Sequence, residues 1–256
     1  MLGFALLFVS LSFLQAAEQH IAIVSKSEGN VFALKQGATN WIKVKQDDVF
    51  SEGDILKTEE NSSCEMYLIN GTIFEMGSSS RLKIVTLTGT EKKIKQSTLE
   101  LEMGELFSKV EKGIDYSVKM PQAVCAVRGT EFVAAVSREQ SEVAVFDGKV
   151  GVSNYERSGK LSRKKIYVKA MQEAHIRLYA RPKLFKRLSK KMEARRLKAL
   201  KEVVRRRKLK KLILKNRKKI LKRRKKLILK RNKRLKRKVL RRIKDRQRRK
   251  PVPRRK

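Results

Sequence analysis

The sequence predicts an all-β domain, a compact antiparallel sandwich or barrel-like body, followed by a long basic α-helical C-terminal extension. Three observations predict it. Charge is segregated: the chain carries 65 Lys/Arg against 25 Asp/Glu, a formal net charge of +40. Residues 181–256 hold 42 of those bases and three acids (Glu193, Glu202, Asp245), which leaves residues 1–180 nearly neutral. Apolar residues recur at every second position between about Ile21 and Leu178, the period of a half-buried strand. After Gly159 there is no glycine, and between Pro182 and Pro251 nothing breaks a helix.

In chain order, "MLGFALLFVSLSFLQAAEQ" is apolar from Leu2 to Leu14 and ends in Ala16–Ala17. Residues 1–17 read as a secretory signal peptide, too short to span a bilayer comfortably, so export to the periplasm or beyond is expected. The body, 21–178, alternates in Cys64-Met66-Leu68, Leu99-Leu101-Met103, Tyr116-Val118-Met120 and Val143-Val145. Turns fall at "SEGN" (27–30), "SEGD" (51–54), "NGT" (70–72), "GSSS" (77–80), "EKG" (111–113) and "FDGKV" (146–150). Asx-Gly pairs supply the positive φ of tight hairpins, which marks Gly71 and Gly148 as structural. No helical connection separates the strands, which argues against a parallel βαβ sheet.

"AVCAVRGTEF" (123–132) raises a separate question. Both alternating faces of "AVCAV" are apolar, so this strand is expected to be central and covered on both sides. Arg128 then needs a partner, with Glu131, Glu105 and Asp147 as candidates, because an unpaired buried guanidinium is very costly. Gly129 would provide a bulge or close approach ahead of Thr130 and Phe132. Cys64 and Cys125 permit either one disulfide or two buried thiols.

The tail, 181–256, reads as one helix over 183–249, about 100 Å long if continuous. "KKLILKNRK" (210–218) recurs as "KKLILKRNK" (225–233), fifteen residues on and on nearly the same helical face. The expected anion-binding residues are Arg205, Arg206, Arg207, Lys208, Lys210, Lys211, Lys215, Arg217, Lys218, Lys219, Lys222, Arg223, Arg224, Lys225 and Lys226. Ile213, Ile220, Leu221, Ile228 and Leu235 make the expected membrane-facing stripe. The stripe is broad and drifting between Leu209 and Ile243, so a strict heptad seam is not expected.

"MPQAVCAVRGTEFVAAV" resembles the signature of the FecR domain, a bacterial periplasmic module, roughly T-P-x-A-x-x-x-V-R-G-T-x-F. "EGDILKT", "MYLINGTIFEMGSSSRLKI" and "VAVFDGKVGV" are similar to further elements of that domain and follow in its order, from about Glu28 to Ile176. Asn70, Met120 and Met171 stand where the family commonly has Asp, Thr and Gly. The resemblance implies an all-β fold outside the cytoplasm. In iron-uptake regulators of the family, the domain relays a signal from an outer-membrane transporter.

Two histidines, His20 and His175, give no basis for a triad or a metal site, and no nucleotide-binding, zincin or EF-hand motif is present. No catalytic residue, cofactor or metal is therefore expected. The leading expectation is a non-enzymatic envelope protein, a FecR-like binding or scaffolding module tethered by the tail to anionic lipid, lipopolysaccharide or wall polymer. The alternatives are a cytoplasmic nucleic-acid-binding protein and a FecR-type signal-relay regulator acting with a separate membrane partner.

Overall fold

The computed structural model describes residues 21–69, 71–90 and 93–216. The expected signal segment, and the tail sites from Arg217 to Leu235, lie outside these residues. The described residues form seventeen strands and two helices. The strands are β1 (Ile21–Glu28), β2 (Val31–Leu34), β3 (Ile42–Lys43), β4 (Val49–Ser51), β5 (Ile55–Thr58), β6 (Ser63–Leu68), β7 (Ile73–Met76) and β8 (Arg81–Thr90). They continue with β9 (Lys93–Lys109), β10 (Asp115–Lys119), β11 (Ala123–Val127), β12 (Glu131–Val136), β13 (Gln140–Asp147), β14 (Lys149–Asn154), β15 (Ile166–Lys169), β16 (Glu173–Arg177) and β17 (Lys183–Phe185).

These strands make two sheets. Sheet A runs β4-β1-β6-β7-β9-β12-β13-β16-β17. Sheet B runs β3-β2-β5-β8-β9-β10-β11-β14-β15. Every pairing is antiparallel except β9 with β10. Strand β9 belongs to both sheets: Lys93–Met103 pair with β8, and Gly104–Lys109 pair with β12. The corner is Gly104, at φ +88, where a Cβ would stand 2.4 Å from the Ser80 backbone. No other residue could turn the strand there.

The inner faces of both sheets share one apolar core. Phe50, Met66, Phe74, Leu106 and Phe132 come from sheet A, and Leu56, Leu82, Ile84, Leu101 and Tyr116 from sheet B. Cys64 and Cys125 are buried in this core as free thiols, both pushed up to about 12 by burial. The domain is therefore the expected antiparallel sandwich. "AVCAV" is central in its sheet, between β10 and β14, but buried on one face only: Ala123, Cys125 and Val127 face the core and Ala126 faces solvent. The outer positions are Val124, half-buried, and Ala126, exposed, so the strand is covered on its core face alone.

The tail departs from the expected single helix in three ways. Lys183–Phe185 form an edge strand against β16, so the body extends past Pro182 and helix does not begin at 183. Helix α1 (Lys190–Lys201) starts where the Ser189 hydroxyl accepts from the Met192 N–H, a side-chain N-cap. Helix α2 (Val203–Lys215) follows after a one-residue interruption at Glu202, so the described helix is not continuous. Finally, both helices lie against the outer face of sheet A. Phe107, Val133, Ala135 and Ala144 pack with Met192 and Ala199, and Ile23, Tyr67 and Ile73 pack with Ile213.

That docking has a period. The residues buried on the helices are Met192, Ala199, Arg206 and Ile213, spaced by seven. Arg195, Glu202 and Leu209, three positions after the first three, are partly buried. A seven-residue repeat keeps one helical face on its partner over several turns. The heptad seam is therefore present, in the segment before the stripe considered in the sequence and in phase with Ile213.

Candidate functional site

The outer face of sheet A carries one row of cross-strand neighbours: Glu65 opposite Glu75, Glu75 opposite Phe107, Phe107 opposite Val133, Val133 opposite Ala144 and Ala144 opposite Glu173. Alternation requires this, since Cys64, Met66, Phe74, Met76 and Leu106 take the inward positions. Two carboxylates directly opposite each other on β6 and β7 repel and destabilise a sheet unless a cation lies between them.

Arg206 is that cation. Its Nε donates to Glu65 Oε2 at 2.9 Å, its other end pairs with Glu75, and the guanidinium lies 4.4 Å from the centroid of the Phe107 ring. Arg205 adds a bidentate pair to Glu65, at 2.9 and 2.6 Å, and the Ser25 hydroxyl donates to the same carboxylate at 2.6 Å. Burial pushes the Glu65 carboxyl up, but donation from Arg205, Ser25 and Arg206 outweighs it and leaves the group below its usual range. Glu65 reciprocally holds Arg205 above its ordinary value.

Further contacts extend along both helices. Arg195 pairs with Glu105 and with Glu75, the latter at 3.3 Å. Lys210 reaches Glu111 at 2.6 Å, with its stem over Gly71 of the β6–β7 turn. Lys191 lies 3.5 Å from Glu142. At the start of α1 the buried Glu173 carboxylate accepts from the Ser189 backbone N–H at 2.7 Å and contacts His175 at 2.7 Å. Beside α1 opens a cleft of about 610 Å3, walled by Glu28, Ser62, Ser63, Glu105, Glu142, Lys191, Arg195 and Lys198 among others. Its acids and bases largely pair with one another.

The expected tail residues thus separate by direction. Arg205, Arg206 and Lys210, expected to bind external anions, are neutralised by body glutamates. Ile213, expected to face a membrane, is buried on the sheet. The heptad seam turns these side chains inward, towards Glu65, Glu75 and Glu111 on the body. Arg207, Lys208, Lys211 and Lys215 point to solvent. Of the glutamate partners, the sequence marks Glu105 only as a candidate for Arg128, and does not mark Glu65, Glu75 or Glu111. For Glu65 and Glu75 the signal is an acidic residue at the outward position of a strand whose inward positions are apolar.

The R-G-T motif also resolves. Arg128 is not buried: its side chain is 72% exposed and pairs at 2.9 Å with Asp115, which is equally exposed. Glu131, Glu105 and Asp147 are not its partners; Glu131 instead pairs with Lys109 at 2.5 Å. Gly129 has φ +60, and the buried Thr130 hydroxyl lies 3.0 Å from the Lys149 carbonyl and 3.1 Å from the Arg128 carbonyl. Gly148, at φ +86, leaves room for that hydroxyl, since a Cβ there would stand 2.8 Å from it. Thr130 therefore ties the β11–β12 turn to the β13–β14 hairpin. Gly71 is at φ +92 in the corresponding "NGT" turn between β6 and β7.

The family model described as FecR protein matches residues 54–151. Two crystal structures of a candidate anti-sigma factor from Parabacteroides distasonis ATCC 8503, at 1.65 and 2.50 Å resolution, are similar at 17% identity and a TM-score of 0.45. Each comparison covers 55% of this chain, and 63% and 62% of those chains respectively. No curated protein matches. The match spans the strands that hold Glu65, Glu75, Glu105 and the R-G-T turn, while Ile23 on β1 and Glu173 on β16, which also meet the helical segment, lie outside it. Residues 54–151 thus match the FecR family model, within a chain that continues into a basic helical segment.

Proposed function

We propose that the chain is a non-enzymatic regulatory module of the FecR type, located in the cell envelope, that relays a signal by protein contact, with α1 and α2 as its movable element. The family match supports the regulatory class. The observation that carries the mechanism is the way the helices are held. Their seam is narrow in apolar residues, mainly Met192, Ala199, Leu209 and Ile213, and dense in ion pairs to Glu65, Glu75, Glu105 and Glu111. Ion-paired docking of this kind is directional and sensitive to a competing charge. A partner that engages the glutamates or the arginines changes the helix position without disturbing the sandwich core.

The experiment compares transcripts in cells carrying the full chain, cells lacking it, and cells whose chain stops after Arg187. A relay regulator changes a narrow, shared set of genes in both altered strains. Unaltered transcripts in both would sink the regulatory reading.

A further inference from the structure

The face of α1 and α2 turned away from sheet A has a composition of its own. Leu197, Leu200 and Val204 are 49%, 48% and 63% exposed, at spacings of three and four along one stretch of the two helices. Leu197 and Val204 each stand two residues before a buried seam residue, Ala199 and Arg206, which is about 200° around the helix. Around this ridge Lys190, Lys201, Arg207, Lys208, Lys211 and Lys215 are exposed. None of the six forms an ion pair among the described residues, whereas the inward cations are paired. The segment is thus bifacial, with one face neutralised by the protein's own glutamates and the other an apolar ridge in a field of unpaired positive charge.

We propose that this outer face docks onto an anionic lipid bilayer, with Leu197, Leu200 and Val204 entering the headgroup–acyl boundary and the six cations meeting lipid phosphates. This goes beyond the relay reading and does not depend on it. Charge selects the occupant. A second copy of the same face would bring like charges together. The chain's remaining C-terminal residues, 217–256, carry 25 Lys/Arg and one acid, so they are repelled as well. A phosphodiester backbone would satisfy the cations and leave the three apolar side chains in water. An anionic bilayer takes both, as it does for interfacial amphipathic helices. Among the described residues no helix is long and apolar enough to cross a membrane, so the helices lie on the surface. Of the expected membrane-facing residues, Ile213 is committed to the sheet and the other four lie outside the described residues, so this face is made by Leu197, Leu200 and Val204.

The test uses the full chain carrying Val204→Cys, labelled with an environment-sensitive fluorophore, and a control labelled at Lys160→Cys in the exposed 156–160 turn. Labelling is selective because Cys64 and Cys125 are fully buried and their thiols are pushed up to about 12. Vesicles of phosphatidylcholine with about one third phosphatidylglycerol are compared with phosphatidylcholine alone, at about 0.15 M salt. The expected result is a blue shift at position 204 with anionic vesicles only, and none at position 160. In the unlabelled chain, Leu197→Ser/Leu200→Ser/Val204→Ser should weaken vesicle co-sedimentation about tenfold or more. Sedimentation without a shift at 204 overturns the proposal, because the other cations alone would then hold the protein. So does a triple variant that binds as well as the parent. Absence of binding to anionic vesicles overturns it too and leaves an acidic protein as the occupant.

Discussion

Arg206 and Glu65 meet at 2.9 Å with 4% and 2% of their side chains exposed, which makes a nearly dry ion pair between the basic extension and the β-sandwich. The two residues lie 141 positions apart in the chain. Arg206 also lies between two carboxylates that face each other across β6 and β7, each of which keeps a second arginine when Arg206 is removed, Arg205 on Glu65 and Arg195 on Glu75.

Arg206→Ala is therefore expected to cost about 1.5–3 kcal/mol of docking free energy, the scale of a lost charge-assisted hydrogen bond rather than of an uncompensated buried charge. The loss should appear locally. Amide exchange in 190–215 should accelerate strongly, while β12 and β13, buried in the centre of sheet A, keep their protection. Unaltered exchange in α2 would show that the pair does not hold the helix.

Docking should also depend on pH. Glu65 titrates below the ordinary glutamate range in the folded chain. Its contribution is complete above the unfolded value of about 4.3 and is lost as pH falls through the lower folded value. A distance probe between α2 and β6 should report docked helices at pH 5 to 7 and release only at pH below about 4. Release between pH 6 and 7 would assign the switch to another group.

The R-G-T motif should divide by residue. Arg128→Ala removes an exposed pair and should cost under about 1 kcal/mol. Gly129→Val forces a branched residue to φ +60, with its Cβ 3.0 Å from the Lys112 side chain, and should cost about 2 kcal/mol or more. Thr130→Val leaves the Lys149 carbonyl without its hydroxyl donor and should cost about 1–3 kcal/mol. Thermal melts of the three variants test this, and equal shifts for Arg128→Ala and Gly129→Val would contradict it.

Met171 adopts φ +63, in the left-handed region that favours glycine. Met171→Gly relieves about 1–2 kcal/mol of left-handed strain against about 0.5–1 kcal/mol of added unfolded-state entropy. A net gain of up to about 1 kcal/mol and a melting point raised by a few degrees are expected. A lowered melting point would mean that the Met171 side chain, 40% exposed, contributes more packing than its surface position suggests.

Export predicts a mature N-terminus near Ala17 or Glu18 in mass spectra of the native protein. An intact Met1 in a cytosolic fraction would contradict the envelope location.

The local features of the sandwich follow from the sequence alone. Period-two alternation and glycine-bearing turns specify strands, since each depends on residues within a few positions of one another. Gly71, Gly129 and Gly148 all have the positive φ that their motifs require. The segregation of charge likewise marks off a basic helical extension from a neutral body. Which way that extension faces was not legible, because it depends on pairing across more than a hundred residues. Composition counts Arg205, Arg206 and Lys210 as free cations. Only the registers of β6 against β7 and of β7 against β9 gather Glu65, Glu75 and Phe107 into the row that receives them. Arg128 shows the converse. An arginine between two apolar runs suggests burial, yet the positive φ of Gly129 ends the strand at Val127 and leaves the guanidinium in water beside Asp115. A sequence determines which side chains a strand or helix can present; the packing of one element on another decides which of them meet protein and which meet solvent.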